Sequence, residues 1–400
     1  MSEMSYLEKL LDGVEVEWKT LEDITLRTSN IKWREVIRSY RYIDLTSVDI
    51  ATKKITETTE ITKNNAPSRA QKLVDENDVI FATTRPTQQR FCLIDSEYAG
   101  EVASTGYCIL RAKQDQVLPK WILHWISTSD FKKHVEENQS GSAYPAISDS
   151  KVKECLIPIP CPDNPEKSLA IQSEIVRILD KFTALTAELT AELTAELNMR
   201  KKQYNYYRDQ LLSFKEGEVE WKTLGEVAVI GTGNHDTQDA IEHGKYIFYA
   251  RGREPLKLNV FDFDETAIIT AGDGAGVGKV FHYAKGKYAL HQRAYRIVPN
   301  AFMNPRFVYH YITAYFFTYI QKASVSSSVT SLRRPMFLKF PIPVPPSEEQ
   351  ARIVEILDKF DTLTNSITEG LPREIELRQK QYEYYRDLLF SFPKPETVSN

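Results

Sequence analysis

The sequence predicts an α/β (α+β) protein in which two mixed domains of one plan are separated by two long helices that pair antiparallel as a coiled coil. Three observations support this: a helix-forming run of unusual length, a set of sequence blocks that occurs twice, and short apolar runs between those blocks. The predicted segments are a first domain at 1–164, a central helix at 165–214, a second domain at 215–346, a C-terminal helix at 347–392 and a tail at 393–400.

The central helix is predicted from the run 171–214, which contains no Gly and no Pro and is rich in residues that lose least on entering a helix. At about 1.5 Å per residue this helix would be roughly 65 Å long, a length suited to a spacer or a dimer seam. Its middle reads Thr-Ala-Glu-Leu three times over 186–197. Each copy adds about 6 Å and turns the helix by about 400°, so its apolar stripe drifts by about 40°. The spacer positions are Thr186, Leu189, Leu193 and Leu197.

Five sequence blocks occur twice in the same order. The block 15–21 recurs letter for letter as 218–224, and the other pairs are 119–126 with 305–312, 158–162 with 341–345, 175–182 with 353–360, and 203–209 with 381–387. The inserts 25–118 and 227–304 share little, although both alternate short apolar runs with turn residues. A repeated scaffold that carries divergent inserts indicates two related modules that recognise different things.

The two long helices have predicted starts and one predicted break. Pro165 occupies the tolerated first position of the central helix, and Ser347 with Gln350 resembles a capping box at the start of the second. Gly370 and Pro372 should break the second helix near its centre, because an interior proline removes a hydrogen bond and clashes with the preceding turn. The segment before each copy of the first block also matches, which predicts a circular arrangement with an internal pseudo-twofold.

Composition excludes several classes of protein. The net charge of −4 argues against a generally basic nucleic-acid coat, although it leaves local basic patches possible. The four cysteines show no zinc-binding spacing, so we expect reduced thiols and no metal site. The chain has no signal-peptide core and no apolar run long enough for a membrane, so we expect a cytoplasmic protein with no membrane contact.

No catalytic motif is complete. The stretch 272–279 resembles a phosphate loop, but Asp273 replaces its first glycine and Val280 its Ser/Thr. It is therefore interpreted either as a Gly-rich turn or as a loop that allows close approach to a phosphate. His124 and His310 fall at matching places in the two copies, where a packing role is favoured over catalysis.

The order of the blocks and the tandem tetrads give the chain its resemblance: it is similar to the specificity subunits of type I restriction-modification systems, and in particular to the type IC group. The resemblance covers 15–392. It implies a non-catalytic subunit whose two target-recognition domains each read one half of a split double-stranded DNA site. It also implies two methyltransferase (modification) subunits docked on the helices, and restriction (translocase and endonuclease) subunits joining them. S-adenosylmethionine, ATP and Mg are then expected on the partner subunits, with no cofactor in this one.

Base and phosphate contacts need Arg, Lys, Gln, Asn, Ser or Thr on exposed loops. In the first insert the candidates are Lys32, Arg34, Thr84, Arg85, Thr87, Gln88, Gln89 and Arg90. In the second insert and the segment after it they are Arg251, Arg253, Lys279, His291, Arg293, Ser327, Ser328, Thr330, Arg333 and Arg334. Two such modules joined by the long helices would read two half-sites, and the length of the helices would set the spacing between the half-sites.

The alternative hypothesis is a coiled-coil adaptor whose two globular heads bind proteins. It accounts for the long helices and the acidic charge. It accounts less well for two heads that diverge while their supports stay nearly identical.

Overall fold

The computed structural model describes residues 10–11, 13–215, 217–323, 333–366 and 368–394. The chain divides into two compact units, unit 1 from Met1–Ala191 with Glu376–Asn400, and unit 2 from Glu192–Ile375. Each unit combines β-sheets with helices, which confirms the predicted α+β class. The N-terminal unit therefore includes a C-terminal piece of the chain.

Unit 1 contains ten strands and three short helices before the first long helix, counted over the described residues. The strands are β1 (Val16–Thr20), β2 (Thr25–Leu26), β3 (Tyr40–Ile43), β4 (Thr59–Ile61), β5 (Ala70–Leu73), β6 (Val79–Ala82), β7 (Phe91–Leu93), β8 (Val102–Ser104), β9 (Tyr107–Ala112) and β10 (Leu156–Pro160). The helices are α1 (Pro119–Trp125), α2 (Ser129–Asn138) and α3 (Asp149–Lys153).

The first long helix is α4 (Pro165–Leu211), which starts in unit 1 and ends in unit 2. The remaining strands are β11 (Glu220–Thr223), β12 (Ala228–Thr232), β13 (Tyr246–Tyr249), β14 (Leu256–Leu258), β15 (Phe263–Ala271), β16 (Phe281–Leu290), β17 (Ala294–Pro299) and β18 (Pro341–Val344). The remaining helices are α5 (Leu224–Val227), α6 (Pro305–Ala323), α7 (Arg334–Leu338), α8 (Ser347–Asn365) and α9 (Leu371–Leu389).

The two inserts have the same strand order although their sequences differ. Unit 1 has sheets of order β2-β9-β6-β7 and β4-β3-β8-β5, and unit 2 has one sheet of order β12-β17-β15-β16-β13-β14. In both units an antiparallel hairpin joins the sheet through one parallel pairing, β3 with β8 and β13 with β16. The long strand β15 takes the place of both β6 and β5, and the long strand β16 takes the place of both β7 and β8. The single sheet of unit 2 therefore corresponds to the two sheets of unit 1.

A separate two-stranded ribbon explains two of the repeated blocks. Strand β1 pairs antiparallel with β10, and Trp18 lies opposite Pro158. Strand β11 pairs in the same way with β18, and Trp221 lies opposite Pro343. In each unit, the repeated Glu-Val-Glu-Trp and Pro-Ile-Pro blocks therefore form the two paired strands of one ribbon.

The predicted helix starts and the predicted break have different outcomes. Helix α4 starts at Pro165 as predicted, and a gap between α8 and α9 confirms the break, with Gly370 at φ +85°. The capping box at Ser347 is wrong, because Pro346 is the N-cap and no side chain caps it. Gln350 is buried instead, where its Nε2 donates to the carbonyl of Pro345 at 2.9 Å and its Oε1 accepts from the backbone N–H of Asn304 at 2.7 Å.

Within each unit α4 packs against a segment of the second long helix. In unit 1 the rings of Phe182 and Tyr385 stack with centroids 5.7 Å apart, and the hydroxyls of Thr183 and Tyr382 are 3.0 Å apart. In unit 2 the ring of Tyr207 stacks on Phe360 at 5.6 Å. In unit 1 later positions in α4 meet earlier positions in α9, so the pairing there is antiparallel, as predicted.

The core of unit 1 is closed by the C-terminal segment. Phe390 and Phe392 are buried in the same cluster as Trp121 and Trp125, and the centroids of Trp121 and Phe390 are 4.6 Å apart. The indole of Trp18 donates to the carbonyl of Pro393 at 2.7 Å. The first domain therefore completes its core with residues from the far end of the sequence, which the circular repeat predicted.

None of the described helices combines the length and the apolar character that crossing a membrane would require.

Candidate nucleic-acid interface

The best candidate loops of the two inserts occupy the same place in the fold. Residues 83–90 connect the antiparallel strands β6 and β7, and residues 272–280 connect their counterparts β15 and β16. The two loops share no sequence, and strand order alone relates them. We therefore treat these connections as equivalent and call them reading loop 1 (83–90) and reading loop 2 (272–280), after the half-site reading that the sequence leads us to expect.

Reading loop 1 is built around a tight turn. Pro86–Gln88 form a 3₁₀ turn, and Arg85 and Gln89 on either side have positive φ values of 49° and 53°. Side chains with a Cβ adopt this conformation uncommonly, and it is often found at functional sites. Arg85 and Gln88 are exposed, while Thr84 and Thr87 are half-buried.

Two predicted residues of reading loop 1 serve the loop itself. The Arg90 guanidinium donates to the carbonyl of Val48 at 2.6 Å. The side-chain Nε2 and Oε1 of Gln89 are buried and have no partner among the described residues, while the backbone carbonyl of Gln89 accepts from Lys53. Burial lowers the pKa of Lys53 to about 8. Arg90 is therefore tied to the fold, whereas Arg85 and Gln88 present their side chains to solvent.

A second loop that sequence reasoning missed lies beside reading loop 1. Thr84 forms a β-bridge with Ala146, and the backbone N–H of Arg85 donates to the carbonyl of Pro145 at 2.7 Å. Tyr144 in this loop is 72% exposed, and the Arg85 guanidinium lies 5.3 Å from its ring centroid. The repeat could have identified it, since 140–146 lies between the same two blocks as the predicted segment 326–330 of unit 2.

Lys32 directly precedes a 3₁₀ turn at Trp33–Glu35, and Arg34 lies within it. Both side chains are exposed. The ammonium of Lys32 lies 3.6 Å from the Glu35 carboxylate on the same turn. This pair is solvated and of little energetic weight. The structure thus leaves both cations on the surface but links Lys32 to its own turn rather than to reading loop 1.

In unit 2 three of the predicted cations line one cleft of about 740 Å³, whose charged lining is Arg251, Arg253, Lys279, Glu254 and Asp273 and which also includes Gly274 and Gly276 of reading loop 2. Asp273 receives hydrogen bonds from Arg251 Nη1 at 2.9 Å and Arg293 Nη1 at 3.2 Å. Partial burial opposes ionisation of Asp273, but the Arg251 hydrogen bond and the charges of both arginines hold its pKa below the ordinary value. The cleft therefore has a structured, net positive rim.

His291 is not an exposed contact residue, which corrects its prediction. It is buried, and its Nδ1 accepts from the backbone N–H of Arg293 at 2.9 Å. Burial, together with the nearby Arg251, lowers its pKa, so the imidazole is neutral and braces the strand turn. Arg333 and Arg334 are exposed at the start of α7, and the predicted Ser327, Ser328 and Thr330 lie outside the described residues.

The two repeated histidines anchor each unit to its long helix. His124 Nε2 lies 2.9 Å from Asp180 of α4, and His310 Nε2 lies 2.7 Å from Asp358 of α8. The His124 hydrogen bond, with Lys120 nearby, holds the pKa of Asp180 below its ordinary value. Both histidines are buried, which fits the predicted packing role and gives them no access to a substrate.

Along the tetrad segment the predicted spacer residues Thr186, Leu189, Leu193 and Leu197 are half-buried, whereas Glu188 and Glu192 are exposed. Glu196 pairs with Arg200 at 2.6 Å. The leucine stripe is therefore the more buried face of the helix, and Glu188 and Glu192 lie on its solvated face.

Among the described residues, neither the buried cysteines nor any cluster of metal-ligand side chains indicates a catalytic site. Burial raises the pKa of Cys92, Cys108 and Cys155 to about 12, so these thiols stay protonated at neutral pH. The described residues contain no group of three or more His, Cys, Asp or Glu side chains that could hold a metal ion.

A duplicated α+β scaffold with two long helices and one polar, cation-bearing loop per unit defines a two-headed recognition protein. The model of the type I restriction modification DNA specificity domain matches residues 15–199 and 216–377, and the chain belongs to this family.

The chain is 44% identical to the type I restriction enzyme EcoR124I/EcoR124II specificity subunit of Escherichia coli, over 100% of both chains. It is 37% identical to the EcoprrI specificity subunit of Escherichia coli, over 92% of this chain and 93% of that one. Two solved structures share its fold. One comes from work on complex assembly and conformational transition of the type I R-M system; it has a TM-score of 0.68 and 21% identity, and the match covers 94% of this chain and 97% of that one. The other is the HsdS subunit from Thermoanaerobacter tengcongensis, with a TM-score of 0.52 and 20% identity over 94% of this chain and 96% of that one.

Proposed function

We propose that this chain is the DNA-reading specificity subunit of a type I restriction-modification complex, and that each unit reads one half of a bipartite double-stranded site. One observation carries the proposal. The two units share strand order, ribbon and His–Asp anchor, yet their topologically equivalent reading loops share no sequence. A scaffold that is kept while its loops diverge is suited to two different half-sites.

The chemistry of the loops fits DNA. Exposed Arg85 and Gln88 supply donors that pair with base edges, and exposed Arg253 and Lys279 supply positive charges for phosphate. The tyrosine beside Arg85 adds a flat exposed ring that can pack on a sugar or base. These groups lie on local patches, which is compatible with the overall charge of −4.

The subunit itself is proposed to be non-catalytic. Two methyltransferase subunits would dock on the long helices, whose glutamates and exposed tyrosines Tyr206 and Tyr384 offer a mixed polar and aromatic surface. Restriction subunits would join that assembly, with S-adenosylmethionine, ATP and Mg bound by the partners. The adaptor alternative is not favoured, because the family and the relatives named above are specificity subunits of restriction enzymes.

The test is selection of bound sequences from a randomised duplex library by the chain assembled with its methyltransferase partner, at a stated salt concentration. Two short, unlike half-sites at one fixed spacing are the expected result. A folded, assembled complex that enriches no sequence would refute DNA reading and favour the adaptor.

A further inference from the structure

We propose that Asp273 positions Arg251 and Arg293 as a preoriented pair that reads a guanine in the half-site of unit 2, while Arg253 and Lys279 contact the flanking phosphates. This inference rests on the proposed DNA-reading function. It assigns separate roles to four cations that the sequence does not distinguish.

The geometry of reading loop 2 is built to place Asp273. A Cβ on Gly272 would lie 2.6 Å from the carbonyl oxygen of Arg293, and a Cβ on Gly276 would lie 2.7 Å from the carbonyl oxygen of Arg251. These distances are shorter than real Cβ contacts, so glycine is needed at both positions. The backbone N–H of Gly272 also donates to the Arg293 carbonyl at 2.8 Å. The two glycines thus seat the turn against both arginine backbones, with Asp273 between them.

The carboxylate divides its two oxygens between the two guanidinium groups. Oδ1 accepts from Arg251 at 2.9 Å and Oδ2 accepts from Arg293 at 3.2 Å. Without this charge the two guanidiniums would repel each other, and each side chain would sample many rotamers. A held guanidinium loses less conformational entropy when it forms a bidentate contact.

Both arginines keep donors for a ligand. The Arg251 side chain is 39% exposed and the Arg293 side chain is 62% exposed. A guanidinium carries five N–H donors, and the bond to Asp273 uses one from each. The acceptor pair that best matches the remaining fork in duplex DNA is O6 and N7 of guanine in the major groove.

Arg253 and Lys279 differ from this pair. Both are exposed at the cleft, and among the described residues neither forms an ion pair, although Glu254 also lines the cleft. The Lys279 ammonium lies 5.0 Å from the ring centroid of Phe317, which leaves it free to turn toward an anion. Unbraced cations suit phosphate, whose charge is recognised without a fixed fork.

The experiment is site selection with the assembled complex for the wild type and four variants, followed by binding to the selected duplex at several salt concentrations. Arg251→Lys and Arg293→Lys keep the positive charge but remove the guanidinium fork. Asp273→Asn keeps the side-chain shape but removes the negative charge that braces the two arginines. Arg253→Ala and Lys279→Ala, tested as a double variant, are the matched controls. The half-site of unit 1 is an internal control in every selection.

For the three fork and brace variants, discrimination at one G·C pair of the unit 2 half-site should fall roughly 5- to 150-fold. The other half-site should be unchanged, and for the two lysine variants the slope of log affinity against log salt should also be unchanged. The control variant should bind all sequences more weakly, with its salt slope reduced by about 0.9 for each lost phosphate contact.

Two outcomes would overturn the inference. Unaltered base preference in both lysine variants would exclude guanine reading, and a selective loss at the G·C pair in the control would reverse the assigned roles. A wild-type complex that selects no bipartite site would instead overturn the proposed function. Thermal unfolding of each variant separates misfolding from loss of reading, and the lysine variants keep the test valid if Asp273→Asn fails to fold.

Discussion

Deleting one tetrad from α4 should shorten the unspecific spacer between the two half-sites by about one base pair. The helix is continuous from Pro165–Leu211, so removal of 194–197 leaves it helical on both sides of the deletion. The deletion removes about 6 Å of rise and rotates the following residues by about 40° relative to the preceding ones. One base-pair step of DNA is about 3.4 Å and 34°, so the rotation matches one step, and the rise lies between one and two.

The assay is the same site selection, read for spacing rather than base identity. Thr194→Ala keeps the length of the helix and should keep the wild-type spacer. Removing 190–197 doubles the geometric change and should shorten the spacer by two base pairs, still with both half-sites intact. Removing only 195–197 rotates the helix by about 60° in the opposite sense, and should abolish simultaneous binding to both half-sites. An unchanged spacer after the four-residue deletion would refute the reasoning.

The remaining predictions concern the scaffold. Phe392→Ala should destabilise unit 1 by about 3–5 kcal/mol, since it empties a core position that is 4% exposed, and urea unfolding measures this. Gly233→Ala should destabilise unit 2 by about 1–3 kcal/mol or more, because its Cβ would lie 1.8 Å from the Leu290 carbonyl oxygen, and thermal unfolding measures this. Asp180→Asn should cost stability at neutral pH, but the difference from wild type should shrink as the pH falls below the ordinary Asp value of 3.8, because the depressed pKa stabilises the fold only while the carboxylate is ionised.

Each of these has a control in the chain. Ser391→Ala alters an exposed neighbour of Phe392 and should leave the urea midpoint nearly unchanged. Gly252→Ala meets no atom closer than 3.9 Å and should be tolerated. A difference between Asp180→Asn and wild type that does not shrink as the pH falls below 3.8 would contradict the pKa argument.

Local signals predicted the helices well. The start of α4 at Pro165 and the break at Gly370 follow from backbone rules that act within a few residues. Gln350 shows where such rules stop. Its local pattern favoured a capping box, but the buried carbonyl of Pro345 and the backbone N–H of Asn304 needed a partner, and the side chain satisfies both.

The interface was predictable by residue type but not by side-chain direction. Arg85 and Arg90 belong to the same loop and carry the same group, yet only the tertiary fold sets Arg90 against the Val48 carbonyl and leaves Arg85 in solvent. Likewise, the common strand order of the two inserts depends on pairings between distant residues, which no local pattern encodes. The brace at Asp273 was invisible for the same reason, since its partners lie 22 and 20 residues away.

The docking of Phe390 and Phe392 beside Trp121 has a consequence for synthesis. During translation the first domain emerges early, but its core lacks these two rings until residues 390–392 leave the ribosome. All of unit 2 is made in between. The domain that is begun first is therefore the one completed last, and during that interval its exposed tryptophans would be a natural target for chaperones.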